Sequence, residues 1–82
     1  MFAETQRTYF HLQNGETPIN PWDYLPHSGV QIGVQRATLF VSYLAEHHGI
    51  HADGTVVVSE PGGEYVLTVV AGRIIRTDRR AD

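Results

Sequence analysis

The fold of this chain is decided by residues 28–49, which read SGVQIGVQRATLFVSYLAEHHG. Ser28 is a natural N-cap, and Gln31 three residues later completes a capping box by reaching back to the cap amide. At the other end, Gly49 can adopt the left-handed conformation that ends a helix, so that Ile50 folds back onto the last turn. The pattern predicts a helix from about Ser28 to His48.

This predicted helix has two apolar faces when its residues are spaced at about 100°. Ile32, Leu39 and Tyr43 lie on one of them, with Arg36 beside them. Either the N-terminal segment covers this face, or it is a partner or dimer surface, since contiguous exposed apolar area usually marks one. The opposite face should point to the core and consists of Val30, Val34, Ala37, Val41 and Leu44.

Gly33 lies in the middle of the predicted helix, where glycine is unfavourable. It destabilises a helix by about 1 kcal/mol relative to alanine. Such a cost is tolerable where another backbone comes close. The sequence does not say whether that backbone belongs to a sheet or to a second helix.

The N-terminal part of the chain predicts a β-hairpin followed by an ordered loop. Residues 8–12 are β-prone, the Asn-Gly pair at 14–15 supplies a type I′ turn, and residues 16–19 can form a short return strand. The next stretch, residues 18–26, holds three prolines together with Trp22 and Tyr24. We expect it to pack as an ordered loop or a single 3₁₀ turn with Pro21 at its first position.

Three further strands are predicted after the helix. They cover residues 55–59, 64–70 and 73–77 and are joined by short turns, which is typical of an antiparallel meander. In the middle strand, alternation should turn Tyr65, Leu67 and Val69 toward the helix. The predicted fold class is α+β: one central helix on an antiparallel sheet, with an N-terminal hairpin and a C-terminal three-stranded meander.

Length and composition indicate one small globular domain over residues 1–82, with residues 1–6 and 78–82 expected to be flexible. There is no cysteine, which excludes disulfides and thiolate chemistry. No apolar run approaches a membrane span, and the N-terminus lacks the order of a signal peptide, so we expect a cytoplasmic protein without a membrane association.

The charged residues are unevenly distributed. All six basic residues are arginines, which suggests a GC-rich coding genome and hence a bacterial or phage origin. The chain up to Gly72 is acidic, whereas the last ten residues hold four arginines. An acidic body with a basic end argues against a nucleic-acid-binding domain, which would carry a basic stripe on its folded face.

No constellation in the sequence predicts catalysis, a cofactor or a metal site. His47, His48 and His51 are close in sequence, but adjacent helical positions diverge by about 100° and Gly49 interrupts the helix before His51. A pH-sensitive helix end is a better interpretation of these histidines than a metal site. The serines do not lie in a nucleophile-elbow pattern. Glu60 and Glu64 flank a Gly-Gly turn and are expected to be solvated.

The function predicted from these patterns is a non-enzymatic protein-binding module. It would be an accessory or adaptor subunit or a small inhibitor, of a kind that a phage or mobile element can carry, and it would bind another protein or a second copy of itself. The expected partner-binding residues are Trp22, Tyr24, Ile32, Arg36, Leu39 and Tyr43. The alternative is a small nucleic-acid- or ligand-binding protein that uses the sheet face and the C-terminal arginines, Arg73, Arg76, Arg79 and Arg80.

Overall fold

The computed structural model describes residues 7–25 and 32–80. Within this part of the chain, one helix packs against a five-stranded antiparallel sheet, which confirms the predicted α+β fold. The elements, in chain order, are β1 Arg7–Asn14, β2 Thr17–Pro18, a 3₁₀ turn Pro21–Asp23, α1 Val34–His48, β3 Asp53–Glu60, β4 Gly63–Val70 and β5 Arg73–Arg80.

The sheet has the strand order β2-β1-β3-β4-β5. The N-terminal hairpin adds to one edge of the C-terminal meander, with β1 antiparallel to β3. The 3₁₀ turn also begins at Pro21, and the side chain of Asn20 caps it by accepting from the Trp22 amide at 3.1 Å. The proline-rich stretch is therefore ordered structure beside the sheet.

The last strand is longer than predicted, since it extends through residues 78–80 to Arg80. Arg79 and Arg80 are strand residues that pair with Tyr65 and Glu64 of β4. An ion pair of 3.1 Å joins Arg80 to Glu64, and the Arg79 guanidinium donates to the Gly62 carbonyl at 2.6 Å. Both side chains thus contact β4 or the turn before it while their backbones pair with β4. The positive charge of Arg79 and Arg80 had suggested a solvated end and did not predict this longer strand.

The helix begins six residues later than predicted. Its N-cap is Gly33, in an extended conformation, so the predicted capping box does not start the helix, and Ser28 and Gln31 lie outside the described residues. The first amide, that of Val34, donates to Glu60 Oε2 at 2.6 Å. Gly33 is therefore not a mid-helix glycine, and the group that comes close to it is a carboxylate from the end of β3.

The C-terminal end of α1 confirms its prediction. Gly49 has a φ of 64°, and the Ile50 amide donates to the Leu44 carbonyl at 3.0 Å. Ile50 thereby folds back and packs against the core. This end of the helix is closed by signals that lie next to each other in the sequence.

The core lies between α1 and one face of the sheet. Leu67 and Val69 face the helix as predicted and are buried, while Tyr65 is half-buried. The placement of Ile32 on the outer face of the helix is wrong, because this residue precedes the helix and is 2% exposed. The buried apolar residues are Leu12, Ile32, Ala37, Phe40, Val41, Leu44, Ala52, Val56, Val58, Leu67 and Val69.

Candidate protein-binding groove

An apolar groove runs between α1 and the segment that follows the 3₁₀ turn. Its volume is about 320 Å³, and we call it the docking groove. Five of the six predicted partner-binding residues line it, because the fold brings the 3₁₀ turn against the helix. The lining residues are Tyr24, Leu25, Ile32, Arg36, Leu39, Phe40 and Tyr43.

The floor of the docking groove is part of the core. Ile32 and Phe40 are 2% and 4% exposed. The ring of Phe40 packs edge-on against Phe10 of β1 at a centroid distance of 5.4 Å, and the hydroxyl of Thr8 donates to the Ile32 carbonyl. Because these contacts tie the floor to the sheet, the groove is preformed.

The rim on the helix side is exposed. Leu39 is 61% and Tyr43 43% exposed, although both lie on a helix that packs its other side into the core. Arg36, one turn before Leu39 and Phe40, is exposed at the end of this rim. The helix thus presents a leucine, a tyrosine and an arginine together to the solvent.

The rim on the loop side is held by the 3₁₀ turn. The amides of Tyr24 and Leu25 both donate to the Pro21 carbonyl at 3.0 Å. Trp22, which we expected near the binding surface, does not line the groove. It is half-buried and packs edge-on against Phe10 at 6.2 Å, so its ring anchors the turn to the sheet.

Two histidines pack against the tyrosines of the docking groove. His48 lies between Tyr24 and Tyr43, with ring centroids 4.8 and 5.2 Å away, and its Nε2 is 3.4 Å from the Tyr43 hydroxyl. The ring of His47 also packs against that of Tyr43, at a centroid distance of 4.9 Å. These contacts position both tyrosines, and they give the histidines an aromatic rather than a ligating environment.

His51 belongs to a different place in the fold. It lies beside the tight turn between β4 and β5, where its Nδ1 is 3.3 Å from the position that a Cβ on Gly72 would occupy. Among the described residues, no three side chains of the metal-binding types are grouped as they would be around an ion. The three histidines that are close in sequence are thus divided by the end of the helix.

The arginines of the alternative prediction are spread along β5, at the edge of the sheet. Arg76 forms an ion pair with Asp78 at 2.8 Å, and Arg80 forms one with Glu64. Arg79 is bound to the Gly62 carbonyl. Because Asp78 and Glu64 each pair with a guanidinium group, this edge carries mixed charge and not the unbroken basic stripe that a nucleic-acid backbone favours.

The structure also assigns roles to polar residues that the sequence left as solvated. Glu60 caps α1, and Glu64 accepts from the Ser59 hydroxyl at 3.2 Å while pairing with Arg80. Leu25 and Phe40 are groove residues that the sequence analysis missed. Phe40 lies at the flank of the core-facing arc of α1, and this position was the only signal in the sequence for a second role.

Comparison with protein-family models, with curated proteins and with solved structures found no match to this chain. In the described ranges, α1 is too short and too polar to cross a membrane. The functional interpretation therefore depends on the geometry of the docking groove and its rim.

Proposed function

We propose that this chain is a non-enzymatic protein-binding module that binds its partner through the docking groove. An accessory or adaptor subunit and a small inhibitor are the two roles that suit such a module. The observation that carries the proposal is Leu39, which is 61% exposed beside a preformed apolar groove. Contiguous apolar surface of this kind usually marks an interaction site.

The composition of the rim supports the same proposal. Tyrosine and arginine are enriched at the centres of protein interfaces, where a few anchor residues supply most of the affinity. Tyr43 and Arg36 flank Leu39 on the same side of the helix. Full burial of a leucine side chain is worth about 1.5–3 kcal/mol, so covering Leu39 alone would stabilise a complex appreciably.

Substitutions on the exposed side of α1 should impair binding and spare stability, whereas a substitution on its buried side should lower stability and spare binding. Leu39→Asp and Tyr43→Ala should leave the chain folded, because both side chains are exposed, but should abolish self-association or partner capture. Val41→Ala is the control: Val41 is fully buried, so its truncation should lower the free energy of unfolding by about 1–3 kcal/mol and spare binding.

Urea unfolding and a binding assay on the same three variants measure this contrast. If Leu39→Asp and Tyr43→Ala both unfold the chain, the rim is part of the core and the proposal fails. If both variants are folded and bind as the parent chain does, the interface lies elsewhere, with the open face of the sheet as the next place to look.

A further inference from the structure

We propose that the outer face of α1 is self-complementary and that it docks a second copy of this chain, with the two helices antiparallel about a two-fold axis. This inference rests on the proposed function and adds the identity of the partner. Four exposed residues carry it, and we call them the seam: Arg36, Leu39, Tyr43 and Glu46.

The spacing of the seam is that of a helix–helix contact. Its members follow one another at intervals of three, four and three residues, which is the a/d spacing of paired helices. At about 100° per residue they share an arc of about 80°. A partner helix lying along this arc would contact Arg36, Leu39 and Tyr43, the seam residues that also line the docking groove.

The order of the seam residues selects the antiparallel arrangement. Because the spacing is the same in both directions, an axis midway between Leu39 and Tyr43 places Leu39 of one copy opposite Tyr43 of the other. The same axis places Arg36 opposite Glu46. A parallel arrangement in register would instead place arginine opposite arginine and glutamate opposite glutamate, which is repulsive.

Both charged seam residues are available for such a contact. Arg36 and Glu46 are exposed, and neither takes part in the two ion pairs found among the described residues, Arg76–Asp78 and Arg80–Glu64. Glu46 shares a shallow cleft with Arg73 but forms no ion pair with it. Each two-fold contact would therefore supply a partner to two arginines and two glutamates at once.

The expected dimer is weak. A helix of 15 residues is about 22 Å long and offers only a few layers of contact. Such a contact buries less than the roughly 1,600 Å² of a standard interface. We therefore expect a dissociation constant in the micromolar range or above, and rapid exchange between monomer and dimer.

Charge reversal tests the pairing directly, with the full chain followed by sedimentation over a concentration series. Arg36→Glu and Glu46→Arg should each weaken self-association by roughly tenfold or more, because two attractive pairs become repulsive in each dimer. The double variant should recover the parental affinity. An equimolar mixture of the two single variants should form a heterodimer, since every cross pair is then attractive.

A control variant and a measurement of helix content accompany the charge reversals. Glu16 lies in the exposed β1–β2 turn, so Glu16→Arg makes the same charge change away from the seam and should leave self-association unchanged. Circular dichroism of each variant should show the parental helix content. Single variants that associate like the parent, or a double variant no better than the singles, would overturn the proposed pairing.

The outcome can also separate this inference from the proposed function. A parent chain that remains monomeric up to about 1 mM overturns self-docking. In that case, loss of capture of a different protein by Leu39→Asp would still support the docking groove as a binding surface. If the chain self-associates but is insensitive to Leu39→Asp and to both charge reversals, neither proposal holds.

Discussion

At the scale of single residues, Gly54 shows how closely β1 and β3 approach each other. It lies within β3, pairs with Leu12 and has a φ of 139°, a conformation that side chains rarely adopt. A Cβ at this position would lie 2.0 Å from the His11 carbonyl oxygen. The predicted strand began only at residue 55, because a glycine after Ala-Asp looks like a turn signal when its partner strand is unknown.

Gly54→Ala should lower the free energy of unfolding by about 2 kcal/mol or more, because both the φ angle and the contact with His11 become unfavourable. Urea denaturation measures the effect. Gly62→Ala is the matched control, since a Cβ at this position would lie 3.9 Å from the Tyr65 hydroxyl, an ordinary contact, and the change in stability should stay within about 0.5 kcal/mol. Equal stability of the two variants would contradict the described register of β1 on β3.

At the scale of elements, the two ends of α1 differ in what the sequence could predict. The C-terminal end is determined locally by Gly49 and Ile50, and its prediction was confirmed. The N-terminal end is capped by Glu60, which is 26 residues from Val34 in the chain. Ser28 is a suitable local cap by residue type, and the prediction therefore used it. It could not include the Glu60 carboxylate, which reaches the helix only because β3 ends beside Val34 in the fold.

Glu60→Gln should lower the free energy of unfolding by about 1 kcal/mol, because a carboxylate at a helix N-terminus both accepts a hydrogen bond and complements the helix dipole. Chemical denaturation at neutral pH measures the loss. Glu16→Gln removes an equal charge from an exposed turn and serves as the control. If the two variants are equally stable, Glu60 does not cap the helix in solution.

At the scale of the whole molecule, the spacing of apolar residues predicted that one helix packs on one sheet. The same spacing along the helix predicted its exposed apolar side. Leu39, Tyr43 and Arg36 were placed together because they share one side of a helix, and they line one groove. The other wall could not be predicted, since Leu25 reaches the helix only through the 3₁₀ turn. Ile32 was misplaced because the helix was assumed to include it.

The face of the sheet away from α1 is the competing surface at this scale. Tyr9, Val57 and Val66 lie side by side on it, in neighbouring strands, and Tyr9 is 49% exposed. This face is apolar at its centre, but its β5 edge carries the paired charges of Arg76 and Asp78. In the part of the chain that the structure describes, the apolar groove lies beside α1 and not on this face, which is why we assign binding to the helix side.

The most direct test of self-docking on the helix side is an NMR concentration series on the full chain, in which backbone amide shifts are followed from about 10 μM to about 1 mM. We predict that the concentration-dependent shifts cluster at the helix rim and the facing loop, around Arg36, Leu39, Tyr43 and Leu25. Shifts concentrated at Tyr9, Val57 and Val66, or no concentration dependence at all, would contradict the assignment of self-docking to the helix side.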